Sequence, residues 1–286
     1  MSVAALLLLA VKVSIVLIVF GLGLAASLKD AGYLFRRPGR LVRSLLAMNL
    51  VMPLFAAALA ASFELHPAVK IVLIALAVSP VPPLLPKKEL KAGGSAPYTV
   101  GLLVATALLA VVFVPIAVAL LGKAFAIPAR MPAAAIAKLV LITVLAPLGF
   151  GMAVRHWAPG FAERIAKPIA LAATVLLAVG VLPVLFTAWP AIVSLIGNGT
   201  LAAIASFVAV GLLAGHGLGG PDPNDRTVLA LSTASRHPGV ALAIAHANFP
   251  DEKLAPAVVL LYLIVSGIVS LPYLRWNRRR HAGIKA

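Results

Sequence analysis

The sequence predicts an all-α integral membrane protein with nine transmembrane helices, two of them broken. Three observations predict it. Of the 286 residues, 62% are hydrophobic and 11% charged, where a soluble globule carries about 25% charged residues. Seven uninterrupted apolar runs approach or exceed the roughly 20 residues that a helix needs to cross a bilayer. The basic residues also gather on alternate loops, as the positive-inside rule requires of a polytopic chain.

Residues 3–28 form the first run. No basic stretch precedes it, and it is too long for the apolar segment of a secretory signal, so it reads as a first transmembrane helix. Lys12 inside it either snorkels to the interface or faces protein. Residues 41–63 form the second run. An interrupted run then starts at Pro67, reaches Ser79 and breaks at Pro80, Pro82, Pro83 and Pro86. Uninterrupted runs follow at 99–122, 137–154, 168–190 and 200–218. A second interrupted run starts near Arg226, breaks at Arg236-His237-Pro238-Gly239 and resumes to Asn248. The last run covers 255–274. Counting each interrupted run as one crossing gives nine spans in a single domain over residues 1–286.

Charge tests that count. The 24 Lys and Arg against 8 Asp and Glu give a net charge of +16, which in a soluble chain would suggest nucleic acid. Here alternation of nine spans puts 17 basic residues on one side, from Lys29 to Lys285. The other side holds 5, namely Lys70, Lys123, Arg130, Lys138 and Lys253. Lys12 and Arg236 lie at membrane depth. The rule places the C-terminus in the cytoplasm and the N-terminus outside. The charge therefore reports orientation in a lipid bilayer, with no nucleic-acid partner expected. With no cysteine there is no disulfide framework or thiol nucleophile. No G-x-S-x-G elbow, P-loop or HExxH pair is present, and the histidines are too scattered for a metal site. The chain is not expected to be an enzyme or to hold a cofactor or metal.

The two breaks echo each other. Residues 72–80 read V-L-I-A-L-A-V-S-P and residues 228–238 read V-L-A-L-S-T-A-S-R-H-P. The span count makes them antiparallel, as in two inverted halves. Helix breaks at membrane depth free backbone groups that lipid cannot satisfy. Such breaks at matching positions of two halves point to the binding site of a secondary transporter; structural kinking by proline is the alternative.

At these residues the chain resembles the bile acid:sodium symporter family, including its bacterial members. The resemblance is carried by F-G-L-G-L at 20–24, Lys29-Asp30, Arg36-Arg37-Pro38, L-V-M-P-L at 50–54, Ala146-Pro147-Leu148 with Gly151, and G-V-A-L-A-I-A at 239–245. It implies inverted repeats forming a panel of about 3–28 and 137–190 and a core of about 41–122 and 200–274. It also implies a small organic anion bound between them and, for a bacterial member, the inner membrane.

At the first crossover the family's sodium-binding asparagine falls on Leu84 or Leu85. At the second, its Glu, Gln and Asn fall on Ser232, Arg236 and His237, and the preceding core helix keeps an amide at Asn49. No acid replaces the crossover glutamate. Glu89 sits among lysines beside the first break, and a guanidinium at a former ligand position repels a cation. Sodium coupling is therefore not expected to persist; proton-coupled and uncoupled transport stay open.

Arg236 at mid-span needs a partner. That partner is either an anionic substrate held by its fork or the exposed carbonyls of the opposite break. His237 either carries a coupling proton or bonds to neighbouring backbone. The expected substrate site comprises Arg236, His237, Asn49, Ser79, Ser232, Thr233 and Ser235. Lys87, Lys88 and Lys91 are read as topology determinants that also attract anions. A non-transporting receptor on the same fold is the alternative function.

Overall fold

The structure, a computed structural model, describes residues 3–283, without the side chains of Ala4 and of 278–283. The side chains of Arg278, Arg279 and Arg280, and the whole of Lys285, lie outside the described residues. The protein is 82% helical, with no strand among the described residues. Among the described residues, seven helices are long and apolar enough to cross a membrane: Ala5–Ala25, Pro38–Ser62, Ala96–Ala124, Ala133–Trp157, Pro159–Ser194, Thr200–Leu218 and Ala255–Asn277. They coincide with the seven uninterrupted runs to within a few residues at most ends; the fifth, Pro159–Ser194, starts about two turns earlier than its run.

The first is α1 (Val3–Ala25), followed by the short α2 (Leu28–Ala31). The second joins α3 (Pro38–Leu45) and α4 (Met52–Ser62) through a π-helical stretch, Leu46–Val51. The first interrupted run becomes α5 (Pro67–Val78) and α6 (Leu85–Lys91), and α7 (Ala96–Ala124) follows. The next span joins α8 (Ala133–Val140) and α9 (Ala146–Trp157) through a second π-helical stretch, Leu141–Leu145. Then come α10 (Pro159–Ser194) and α11 (Thr200–Leu218). The second interrupted run becomes α12 (Pro223–Ala234) and α13 (Pro238–Asn248), and α14 (Ala255–Gly283) closes the chain.

Local chemistry sets the ends of the broken helices. Proline opens α5, α12 and α13 at the first helical position, where its missing N–H is not needed. Each has an N-cap acceptor in front of it: the His66 ring for Ala68 N–H at 3.1 Å, Asp222 for Asn224 N–H at 2.8 Å and the His237 ring for Val240 N–H at 3.3 Å. Pro80, which has no N–H to donate, follows the end of α5 at Ser79. At 12 residues each, α5 and α12 reach only about 18 Å, well short of a bilayer.

Helix α1 packs against α9 and α10, and these spans bury little of their surface inside the protein. Contact there is backbone to backbone: a Cβ on Gly23 would sit 2.4 Å from Leu148 O, and one on Gly151 would sit 2.3 Å from Phe20 O. Small residues at a crossing are how membrane helices approach closely without a hydrophobic driving force between them. The remaining spans surround α5 and α12, which are the most enclosed elements; every residue from Thr227 to Ala234 is buried.

Candidate functional site

The two breaks meet. His237, which follows the second helix end, donates its N–H to Pro80 O of the first break at 3.0 Å. The freed backbone groups are satisfied one by one, as burial in a membrane protein demands. Ser79 Oγ donates to Ala75 O at 2.6 Å. Thr106 Oγ1 of α7 accepts Val81 N–H at 3.4 Å. Tyr262 of α14 donates to Ala234 O and accepts Arg236 N–H, both at 2.8 Å.

Arg236 completes this set and is 1% exposed. Its Nε donates to Leu76 O at 3.1 Å, and its Nη2 donates to Met48 O at 3.0 Å and to Ala77 O. The acceptors belong to the first break and to the π-helical stretch of the second span. Of the two partners expected for the guanidinium, the carbonyls of the opposite break are the ones in contact with it. Its fork is taken up by carbonyls of the opposite half, and Nη1 alone has no hydrogen-bond partner.

Beside the breaks lies a cavity of about 730 Å³. Its border combines Pro82–Leu85 of the first break, Ser235 and His237 of the second, α1, the α8 span and α14. Three lysines reach it from three elements: Lys12 from α1, Lys88 from α6 and Lys138 from the α8 span. Among the described residues, no acidic one borders it. A second cavity, of about 310 Å³ between α5, α7 and α13, is walled almost wholly by apolar groups, with Lys70 and Asn248 as its polar members.

Of the expected site residues, His237 and Ser235 border the larger cavity. His237 is 4% exposed, its Nδ1 accepts from Val240 and its Nε2 has no partner. The others lie elsewhere. Ser79 is turned back onto α5 and Thr233 onto Leu229 O, at 2.7 Å. Asn49 is half-buried in the π-helical stretch, away from the cavity border. Ser232 is fully buried and donates to Glu89 Oε1 at 2.5 Å. Glu89 is itself 0% exposed, so the one acid near the first break sits against the position where the resemblance puts the crossover glutamate.

Sequence reasoning did not place Lys12 and Lys138 at a cavity: it left Lys12 between snorkelling and facing protein and counted Lys138 as a loop charge.

The model of the sodium bile acid symporter family matches residues 12–195. The match runs from α1 through the first break to the end of α10 and stops before the second break. No curated protein matches the chain.

Proposed function

The chain belongs to the sodium bile acid symporter family, and from that premise we propose that it is a secondary transporter of a small organic anion. The observation that carries the anion reading is the border of the larger cavity, which Lys12, Lys88 and Lys138 line from three elements with no acid among the described lining residues. Ammonium groups on low-dielectric walls focus a positive field on an anion. Apolar walls with a few converging polar groups are the usual make-up of a small-molecule site.

In this reading each broken pair, α5 with α6 and α12 with α13, makes one crossing, for nine spans in all. The C-terminus is cytoplasmic, the N-terminus is outside and the location is the bacterial inner membrane. Helices α1, α9 and α10 pack together as the panel, and the spans around α5 and α12 form the core of two inverted repeats. The cavity between them holds the anion against Lys12, Lys88, Lys138, Ser235 and His237, and rocking of core against panel exposes it alternately. Arg236 keeps the crossover in register instead of binding substrate. Ser79, Thr233 and Asn49 support the same framework.

Flux into proteoliposomes from a panel of carboxylates and sulfonates, under imposed sodium, proton or voltage gradients, tests the reading. Uptake of at least one anion that saturates and is competed by others is the expected result. Saturable binding without flux under every gradient would overturn transport. It would leave a receptor, a reading favoured by the buried prolines Pro80, Pro82 and Pro83 that stiffen the first break.

A further inference from the structure

Glu89 is fully enclosed, yet it makes no salt bridge among the described residues. Among the described residues the single ion pair joins Arg40 and Asp225. Lys88, the next residue, borders the cavity. Oε1 accepts from Ser232, while Oε2 has no hydrogen-bond partner. Thr99 of α7, 1% exposed, lies next to the carboxyl and its hydroxyl is likewise unpartnered. A carboxyl closed off from water must be neutralised by a proton or balanced by a cation.

We propose that Glu89, hydrogen-bonded to Ser232 across the two halves of the chain, is a reversible proton site that couples anion movement to the proton gradient. The coupling rests on the transporter reading above; the proton site does not. Two features favour a proton over a metal cation. Hard cations collect about six oxygen ligands, and only two hydroxyls, those of Ser232 and Thr99, meet this carboxyl, one of them already donating to it. Lys88 also adds positive charge next door, which opposes a bound cation. Besides Lys88, the titratable group that faces Glu89 is Tyr98 from α7, bonded to Ser44 at 2.8 Å; Tyr98 in turn faces Asp225 from α12, which Arg40 holds.

The cavity is close in the chain: Lys88, the residue before Glu89, borders it, and so does Ser235, the extended residue that ends α12 three positions after Ser232. On the proton-rich side a hydronium gives its proton to Oε2, forming an O–H bond and leaving water. On the other side that bond breaks, the proton returns to water and the carboxylate is restored. One proton moving with one monoanion carries no net charge.

The test uses the full chain in proteoliposomes and the proton itself as probe. Infrared difference spectra between acidic and alkaline pH are expected to show a carboxylic-acid carbonyl band that disappears in Glu89→Gln, an isosteric change that keeps an acceptor for Ser232. In Ser232→Ala the band is expected to shift in frequency and in its midpoint pH, which provides a second readout if Glu89→Gln fails to fold. Identical pH difference spectra in wild type and Glu89→Gln would overturn the proton site, whether or not the protein transports.

Coupling is read with toluenesulfonate, a strong-acid anion that does not cross lipid as its neutral acid. Wild type is expected to accumulate it under an inward proton gradient. Glu89→Gln is expected to lose at least tenfold of that accumulation while keeping gradient-free exchange. Equal accumulation in both proteins would overturn coupling through Glu89. Absence of toluenesulfonate flux and exchange in wild type would overturn the proposed coupling for this anion and leave the proton site to stand or fall on its spectra.

Discussion

The N–H of His237 donates to the carbonyl of Pro80 at 3.0 Å, so the ends of two helices from opposite halves of the chain share one hydrogen bond. The next residue back, Arg236, reaches the same half through Leu76 O and Ala77 O. The crossover is thus a backbone-to-backbone junction clamped by a guanidinium, and Lys12, Lys88 and Lys138 line the cavity beside it.

The clamp sets the first expectation. In Arg236→Met the carbonyls of Met48, Leu76 and Ala77 lose a donor, and a buried polar group left unsatisfied costs about 1–3 kcal/mol. A loss of at least about 3 kcal/mol is expected, seen as a clearly lowered unfolding midpoint in detergent. Arg236→Lys is expected to recover only part of it, because an ammonium cannot reproduce the planar fork. An unchanged midpoint in Arg236→Met would show that these contacts are not structural.

Neutralising a cavity lysine acts on affinity. Each of Lys12→Gln, Lys88→Gln and Lys138→Gln removes a charge worth about 1–2 kcal/mol to a bound anion at the effective dielectric of a wet protein site. A rise in KM of about 5- to 30-fold with little change in kcat is expected for the transported anion, measured by initial rates of flux. Substitution of Lys70, which borders the smaller apolar cavity, is expected to leave KM unchanged.

Replacing sodium by potassium is expected to change uptake by less than about twofold. Leu84 and Leu85 offer no side-chain oxygen at the first break, and a buried guanidinium stands at the second, where it opposes a cation. A steep sodium dependence in initial-rate measurements would contradict this.

At the crossing of α1 and α9, a side chain on residue 151 collides with Phe20 O and with Gly23. Overpacking of this kind typically costs about 1–3 kcal/mol, and here the obstacle is backbone, which cannot rotate away. Gly151→Val is expected to lower the yield of folded protein and its thermal midpoint. Gly149→Val, two residues away on another face of α9 with open space around it, is expected to be tolerated.

Hydropathy and proline placement were enough to read the seven long spans and both helix breaks, because lipid imposes length and polarity on each segment separately. The contact between the breaks, the choice of carbonyls over an anion as the partner of Arg236, the approach of Glu89 to Ser232 from 143 residues away and the convergence of three lysines were not legible in that way. In the sequence Lys12 and Lys138 resemble any interfacial lysine, and Glu89 resembles a loop acid. The chain alone determined which segments cross the membrane and where they break. Only the tertiary structure decided which buried charges meet protein and which meet the cavity, because a polar side chain at membrane depth takes its role from groups that other helices bring within hydrogen-bonding reach.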